Sequence, residues 1–318
     1  MQDKILDFLR KKQGYVSGEE ISQHLKISRQ ALWKQIHHLK EAGYEIQAVP
    51  HLGYQLVFPP DRLLPSEITH KLHTKCIGRK IYYFNELSST MDMANELAHK
   101  GLSEGTMVVA ETQAKGRGRL GRNWSSPKYK GIYFSLILRP KLAPAEAAIL
   151  TLLSAVSVCE GIHEITGLDA KIKWPNDIVL ANKKAGGILT ELAAETDEIR
   201  FVVIGIGLNV NNTRTGLLPT AISLREEKGE SISRVELLQA IVRRIEANYL
   251  ALQSKGRRAI IDAWRSYTTT LGRRVRVTCQ RHHVEGQAVD VEDDGGLLVR
   301  TDSGLTEKIF SGDVVYCR

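Results

Sequence analysis

Cysteine is scarce in this chain: four residues among 318, Cys76, Cys159, Cys279 and Cys317, lie far apart and form no C-x-x-C pair. That spacing indicates neither a disulfide framework nor a zinc site, and a reducing cytosol is the expected compartment. A long uninterrupted apolar run is lacking too. The longest such stretch, around 147–159, contains Thr151, Ser154 and Ser157, too polar and too short for a bilayer, and reads as a buried helix. The N-terminus is polar and shows no secretion segment. His70 and His73 are spaced for one helix face, but no third ligand stands nearby, so they read as surface histidines.

Acids are missing where bases crowd. Lys115, Arg117, Arg119, Arg122, Lys128 and Lys130 follow one another with no carboxylate between them, in a chain of net charge +8. A second basic stretch, Arg257, Arg258, Arg265, Arg273, Arg274 and Arg276, is interrupted by Asp262 alone. The first cluster sits in the run Gln113-Ala114-Lys115-Gly116-Arg117-Gly118-Arg119-Leu120-Gly121-Arg122-Asn123-Trp124. Glycines let backbone approach anionic oxygens, arginines grip phosphate with planar forks, and tryptophan can cover an aromatic base. Gly116, Gly118 and Gly121 also satisfy G-x-G-x-x-G, yet Asn123 to Pro127 cannot open a helix cleanly and no acid follows before Glu146. The run reads as a loop that closes on an anion, not as a dinucleotide fingerprint.

Hydrophobic content of 42% and charged content of 25% fit an ordinary globular protein, and the length suggests two or three domains. Residues 1–64 read as a unit: Ile5, Leu6, Phe8 and Leu9 at helical spacing, a helix behind Ser17, and a further helix behind Ser28 with Leu32, Ile36 and Leu39 inward. Two strands around Pro50-His51-Leu52-Gly53 add a wing. The pattern is a winged helix-turn-helix. Ser28, Arg29, Gln30, Trp33, Lys34 and His37 supply donors suited to base edges and phosphates, so DNA is the expected partner, against the alternative of a three-helix packing module that serves protein contacts. After a linker at Phe58-Pro59-Pro60-Asp61, residues 65–271 alternate helix and strand as a mixed α/β sheet domain, with strands near 106–110, 131–138, 171–174, 178–180 and 201–210 and helices near 91–100, 143–167 and 235–252. Residues 272–318 turn to short strands, which suits a small SH3-like β-barrel. The expected class is α+β multidomain.

Three further segments carry chemistry. Ser88-Ser89-Thr90 precedes a helix, Lys173-Trp174-Pro175-Asn176-Asp177 is a polar turn whose simplest form is type I, and Lys183-Lys184-Ala185-Gly186-Gly187-Ile188-Leu189 has the flavour of a hairpin. Taken with the loop and with Gly205-Ile206-Gly207-Leu208-Asn209, in that order, they strongly resemble the biotin-protein ligases. The winged module ahead of them resembles the bifunctional members that also repress biotin operons. The resemblance runs from about Lys4 to Tyr316. One departure is Met91, directly after Thr90, where some relatives carry a polar residue.

The resemblance implies a central domain of the class II synthetase and lipoate-ligase type, with ATP and biotin as substrates and Mg²⁺ arriving with ATP. It implies that Ser89, Thr90, Gln113, Gly116, Arg117, Gly118, Arg119, Lys184 and Gly187 form the biotin pocket. Arg117, Arg119, Arg122, Trp124, Lys173, Asn176, Lys184 and Asn209 would hold the nucleotide. Lys184 would bridge the biotin carboxylate and the α-phosphate, Arg119 would hold the intermediate under a closed loop, and Asp177 would take the proton of an acceptor lysine, since no histidine lies in the motifs. No carboxylate cluster is visible to cage a metal, and no metal ligand is assigned. The implied partners are the biotin carboxyl carrier protein of acetyl-CoA carboxylase or other carboxylases, operator DNA, and a second copy of the chain on ligand or DNA binding. A biotin sensor without catalysis, or a ligase for lipoate or octanoate, are the alternatives.

Overall fold

The computed structural model describes residues 1–12, 14–279 and 283–317, which fall into two compact units, Met1–Arg62 and Leu63–Arg318. The first holds α1 (Gln2–Lys12), α2 (Gly18–Leu25), α3 (Arg29–Glu41) and the antiparallel hairpin β1 (Glu45–Val49) and β2 (Gly53–Phe58). Ser17 and Ser28 cap α2 and α3, each Oγ accepting a backbone N–H at 3.1 Å, from Glu20 and Ala31. Lys26, left-handed at φ 53°, ends α2 and turns the chain sharply into α3. Ile5, Leu6, Leu9, Ile21, Leu32, Ile36 and Leu39 are buried and form the small core. A Cβ at Gly53 would lie 2.0 Å from Val16 O, so the wing closes against the α1–α2 connection only with glycine there.

In the second unit come α4 (Pro65–Thr69), β3 (Ile81–Phe84), α5 (Thr90–His99), β4 (Met107–Ala110), β5 (Gly131–Leu138), α6 (Ala148–Thr166), β6 (Lys171–Lys173), β7 (Asp177–Leu180), β8 (Lys183–Glu195) and β9 (Glu198–Asn209). Then follow α7 (Leu224–Lys228), α8 (Arg234–Lys255), α9 (Arg258–Tyr267), β10 (Arg274–Thr278), β11 (His283–Val291), β12 (Leu297–Thr301), β13 (Thr306–Ile309) and β14 (Asp313–Tyr316). A seven-stranded sheet in the order β3-β4-β5-β9-β8-β7-β6 is antiparallel except for the β3–β4 pair. Every residue of β5 is buried, because helices cover both faces of the sheet there. α5 packs through Met91, Ala94, Leu97 and Ala98 on one face, and α6 and α8 build the larger core with the other. α6 is apolar on nearly all sides and buried, as read from the sequence.

The remaining strands form a five-stranded antiparallel sheet, β13-β12-β11-β10-β14. It shares one continuous hydrophobic core with α6, and Trp174 Nε1 donates to Gly295 O at 3.2 Å across the junction. Several elements escape the sequence reading. β3 and the short α4 carry little pattern, β13 is an edge strand with one buried residue, and α9 is hidden by its arginines although Ile260, Ile261 and Trp264 are buried. The second basic stretch is largely ion-paired. Arg257 pairs with Glu146, Arg265 with Asp262 and Asp290, and Arg274 and Arg276 with Glu285, so much of its charge is matched by acids, most of them outside the stretch. His70 and His73 do not share a helix face, since α4 ends at Thr69.

One ion pair in this unit is wholly buried. Arg234 Nη1 lies 2.7 Å from Glu111 Oε2, both side chains 0% exposed, and also donates to Gly131 O at 3.1 Å. Glu111 Oε1 accepts the Leu63 backbone N–H at 2.7 Å. The pair thus joins the end of β4, the start of β5, α8 and the first residue of the unit. Removing one partner of such a pair leaves a buried charge uncompensated. Glu111→Ala is expected to lower the unfolding free energy of this unit by about 3–5 kcal/mol, read from urea unfolding; a loss under about 1 kcal/mol would contradict the account.

Candidate functional site

A cavity of about 720 Å³ opens on one face of the central sheet. Its floor is bare backbone. Gly187 of β8 pairs across the ladder with Gly207 of β9, and Gly205 lies on the same face two residues away. A Cβ at Gly207 would stand 2.6 Å from the Trp124 indole, and one at Gly205 would stand 2.5 Å from Met91 Sδ. Trp124 therefore sits directly against the glycine floor, with Lys184 Nζ 5.8 Å from its ring centre and its own Nε1 buried without an acceptor. Met91, the departure noted in the sequence, packs on Gly205 and lines the cavity.

One wall is a hydrogen-bonded chain. Gln113 Oε1 accepts from Thr90 N at 2.9 Å and Thr90 Oγ1 at 3.1 Å, Ser135 Oγ donates to Thr90 Oγ1 at 2.9 Å, and Gln113 Nε2 donates to Ser126 Oγ at 3.0 Å. Each side chain is thus fixed before any ligand enters. The opposite wall comes from the turn between β6 and β7. Its Trp174–Pro175 peptide is cis, so the type I turn read from the sequence is not what forms. Asn176 Nδ2 donates to Ile188 O at 2.6 Å, and Asp177 Oδ1 receives Lys184 Nζ at 2.5 Å. The hairpin flavour of the lysine segment is real: Ala181 and Asn182, both at positive φ, turn β7 into β8. The two lysines stand past its tip, half-buried.

The basic loop covers the cavity, and its arginines differ sharply. Arg117 points to carboxylates, 2.7 Å from Asp92 and 2.9 Å from Glu191. Arg122 pairs with Asp313 of β14. Arg119 Nη1 donates to Asn176 Oδ1 at 3.2 Å and Gly312 O at 3.4 Å, and Nη2 donates to Ser311 Oγ at 2.7 Å. Those acceptors are neutral, and burial lowers the Arg119 pKa from its ordinary value, an effect that the charges of Asp313 and Asp177 nearby offset only in part. The loop forms a short turn at Arg119–Gly121, with Leu120 left-handed, and then runs extended through Arg122. No α-helix begins there, which agrees with rejecting the dinucleotide fingerprint.

Thr90, Gln113, Arg117, Gly118, Arg119, Arg122, Trp124, Lys173, Asn176, Asp177, Lys184, Gly187 and Asn209 all line the cavity. Ser89 and Gly116 do not. Ser89 is buried as the cap of α5, and Gly116 packs under Trp124 O, which a Cβ would meet at 2.5 Å. Lys173 lies 4.9 Å over the Tyr316 ring, and burial holds its ammonium below the ordinary lysine value. The sequence reading quoted Gly205 and Gly207 in a motif but gave them no role, and it assigned no place to the segment 215–221 or to Gly312, Asp313, Val314 and Val315 of the terminal sheet. Two glycines at period two in a buried strand are the signal that could have found the floor.

In the first unit, Ser28 caps α3, Arg29 Nη2 lies 2.9 Å from Glu19 Oε2, and Gln30, Trp33, Lys34 and His37 are exposed.

Comparison with known proteins agrees with this geometry. A model of the biotin/lipoate A/B protein ligase family matches residues 83–209, one of an HTH domain matches 2–55, and one of the biotin protein ligase C terminal domain matches 270–316. The bifunctional ligase/repressor BirA of Bacillus subtilis (strain 168) is 41% identical over 304 residues, spanning 94% of this chain and 93% of that protein. The chain belongs to the biotin protein ligase family. BirA of Escherichia coli (strain K12) is 28% identical over 94% of this ligase and 92% of its own length. Among solved structures, the Aquifex aeolicus biotin protein ligase in complex with biotin and ATP superimposes with a TM-score of 0.65 at 32% identity, covering 76% of this chain and 99% of that one. The Leishmania major ligase with biotinyl-5-AMP does so at 0.51 and 25%, covering 73% and 99%.

The ligase's loop is held to the terminal sheet by a partly exposed ion pair, and such pairs contribute at most about 1 kcal/mol. Asp313→Ala is accordingly expected to speed tryptic cleavage between Arg117 and Arg122 about two- to fivefold, followed by mass spectrometry of the fragments. An unchanged rate would mean that the pair does not hold the loop.

Proposed function

We propose that this ligase activates biotin with ATP and passes it to a lysine of an acceptor protein, and that its winged unit represses biotin genes when the activated intermediate is bound. The observation that carries the enzymatic half is the convergence of Lys184, Asp177, Arg119 and the Thr90–Gln113 chain on one cavity.

Biotin's carboxylate is a poor electrophile, so a leaving group must be built. Its oxygen attacks the α-phosphorus of ATP, the bond to the bridging oxygen of pyrophosphate breaks, and biotinyl-5′-AMP and pyrophosphate result. An acceptor lysine, as the free amine, then attacks the carbonyl carbon, AMP departs, and the amine gives up a proton. The first step brings a carboxylate against a triphosphate, which requires cations fixed in advance. Lys184 meets this need best, and Arg119 supplies a second charge from the loop. Thr90 and Gln113 offer fixed donors and acceptors for the polar head of biotin, with Ser89 holding α5 behind them. Trp124, Lys173, Asn176 and Asn209 surround the nucleotide. Aligning the two bound substrates is worth roughly 7–11 kcal/mol.

Asp177 is the proposed base of the second step. Its partner Lys184 is drawn off by the carboxylate and phosphate of the substrates, which frees the carboxylate oxygen for the incoming ammonium. The cavity offers two carboxylates, Asp177 and Asp313, each already facing a cation, and no group of three or more metal-ligating side chains occurs among the described residues. Such a donor set does not cage Mg²⁺, and the ion would be carried by the nucleotide's own phosphates.

The proposed acceptors are the biotin carboxyl carrier protein of acetyl-CoA carboxylase or related carboxylases, in the cytosol. Because one recognition helix reads one half-site, operator binding requires a homodimer.

Lys184→Ala is expected to reduce biotin-dependent exchange of pyrophosphate into ATP by about 100-fold or more with the fold retained by circular dichroism. Exchange at the wild-type rate would remove Lys184 from the chemistry, and no exchange by the wild-type chain with biotin, lipoate or octanoate would sink the ligase reading. For the regulatory half, biotin and ATP together should tighten operator binding about tenfold or more at fixed salt; identical gel shifts with and without them would refute it.

A further inference from the structure

The helix α3 presents one polar stripe broken by a single large apolar ring. Gln30, Trp33, Lys34 and His37 stand at i, i+3, i+4 and i+7, all exposed. Trp33 is 58% exposed, whereas Trp174 and Trp264 are buried and Trp124 lines the cavity. An isolated exposed apolar side chain is ordinary in itself. This one is braced. His37 stacks on the indole, with ring centres 5.6 Å apart and planes 7° from parallel, and His37 Nε2 lies 3.3 Å from Glu41 Oε1. Three residues on successive turns therefore brace the indole from one side while the ring stays 58% exposed, in the helix that follows the tight turn. Arg29, at the start of the helix, is tied to Glu19.

In the major groove the base edges are polar donors and acceptors, with one apolar exception, the 5-methyl group of thymine. We propose that Trp33 reads that methyl group, while Gln30, one turn earlier, bonds the N6–N7 edge of a nearby adenine and Lys34 takes a backbone phosphate. This rests on the winged unit binding DNA. It makes Trp33 the residue that sets sequence preference, whereas Lys34 contributes affinity alone. The rigid stack matters because a ring already held in place loses little freedom on docking.

The test uses the full-length chain with biotin and ATP. A duplex is selected from a randomised pool, and each thymine of the selected half-site is then replaced by deoxyuridine, which removes the methyl and nothing else. One such replacement is expected to weaken wild-type binding about three- to tenfold, as burial of one methyl group implies. Trp33→Ala should bind that uracil duplex and its thymine parent equally, and Trp33→Phe should retain part of the discrimination. Gln30→Ala should relax the preference for adenine near the same position. The proposal is overturned if wild type is indifferent to uracil at every position, or if Trp33→Ala still feels the same methyl. Failure to select any sequence would overturn the DNA-binding reading and this proposal with it, while a selected duplex indifferent to uracil would overturn this proposal alone.

Discussion

The cavity depends on a patch of sheet without side chains. Gly187, Gly205 and Gly207 lie together in the two longest strands, where the ladder is hydrogen-bonded on both sides and every neighbour is fixed. Glycine in a strand interior normally weakens it, through lost entropy and lost packing. Here β9 offsets that weakness by pairing along its length with β5 and β8, so the backbone holds its place without side-chain help. The space thus opened is occupied from above by Met91 and Trp124, which reach the floor only because no Cβ stands in their way. A larger residue would not merely narrow the cavity; it would lift the indole and with it the end of the basic loop.

The rest of the cavity is borrowed from outside the sheet. The five residues Lys173 to Asp177 all line the cavity, and Trp174 has a second duty. Trp174 is buried in the core shared with the terminal sheet, its N–H bonded to Thr270 Oγ1 at 3.0 Å and its indole to Gly295 O. Lys173, Asn176 and Asp177 face the cavity. Tyr316, at the end of β14, lies beneath both Lys173 and Arg273, whose guanidinium carbon is 4.6 Å from its ring centre. One short turn therefore transmits the position of the terminal sheet to the polar groups of the site. The terminal sheet is part of the site's construction, since it supplies Gly312 to Val315 to the wall and Ser311 and Asp313 to the loop's arginines.

This explains what could and could not be read in advance. The winged unit was legible because its signals are local: Ser17 and Ser28 as caps, and leucines and isoleucines at helical spacing. The central strands and α6 were legible because they are buried throughout. The motif residues were legible through their resemblance to a known family, whose members also supplied their order. What stayed hidden depends on contacts between residues far apart in the chain. Asp313 is one acid among many until Arg122, 191 residues earlier, is placed beside it. The arginines from Arg257 to Arg276 look unmatched in sequence because Glu146, Asp290 and Glu285 lie outside the stretch. Ser89 and Gly116 fell on the motif but serve the backbone behind the cavity, a distinction that spacing does not carry.

The same separation divides the cations of the loop, which look equivalent in sequence. Arg117 has two carboxylates and Arg122 has one, so their fields are largely spent within the protein. Arg119 is half-buried among an amide oxygen, a hydroxyl and a backbone carbonyl. Burying a cation among neutral acceptors costs free energy that a hydrogen bond to each recovers only in part. An anion entering the cavity would recover the remainder, and would do so without breaking an existing ion pair. Lys184 lies between these extremes: its partner Asp177 must be displaced by any anion, and the displaced carboxylate is then left beside the site with a lone pair available for a proton. On these grounds Arg119 is suited to drawing the anion in, Lys184 to holding the reacting atoms, and Arg117 and Arg122 to fixing the loop that carries them.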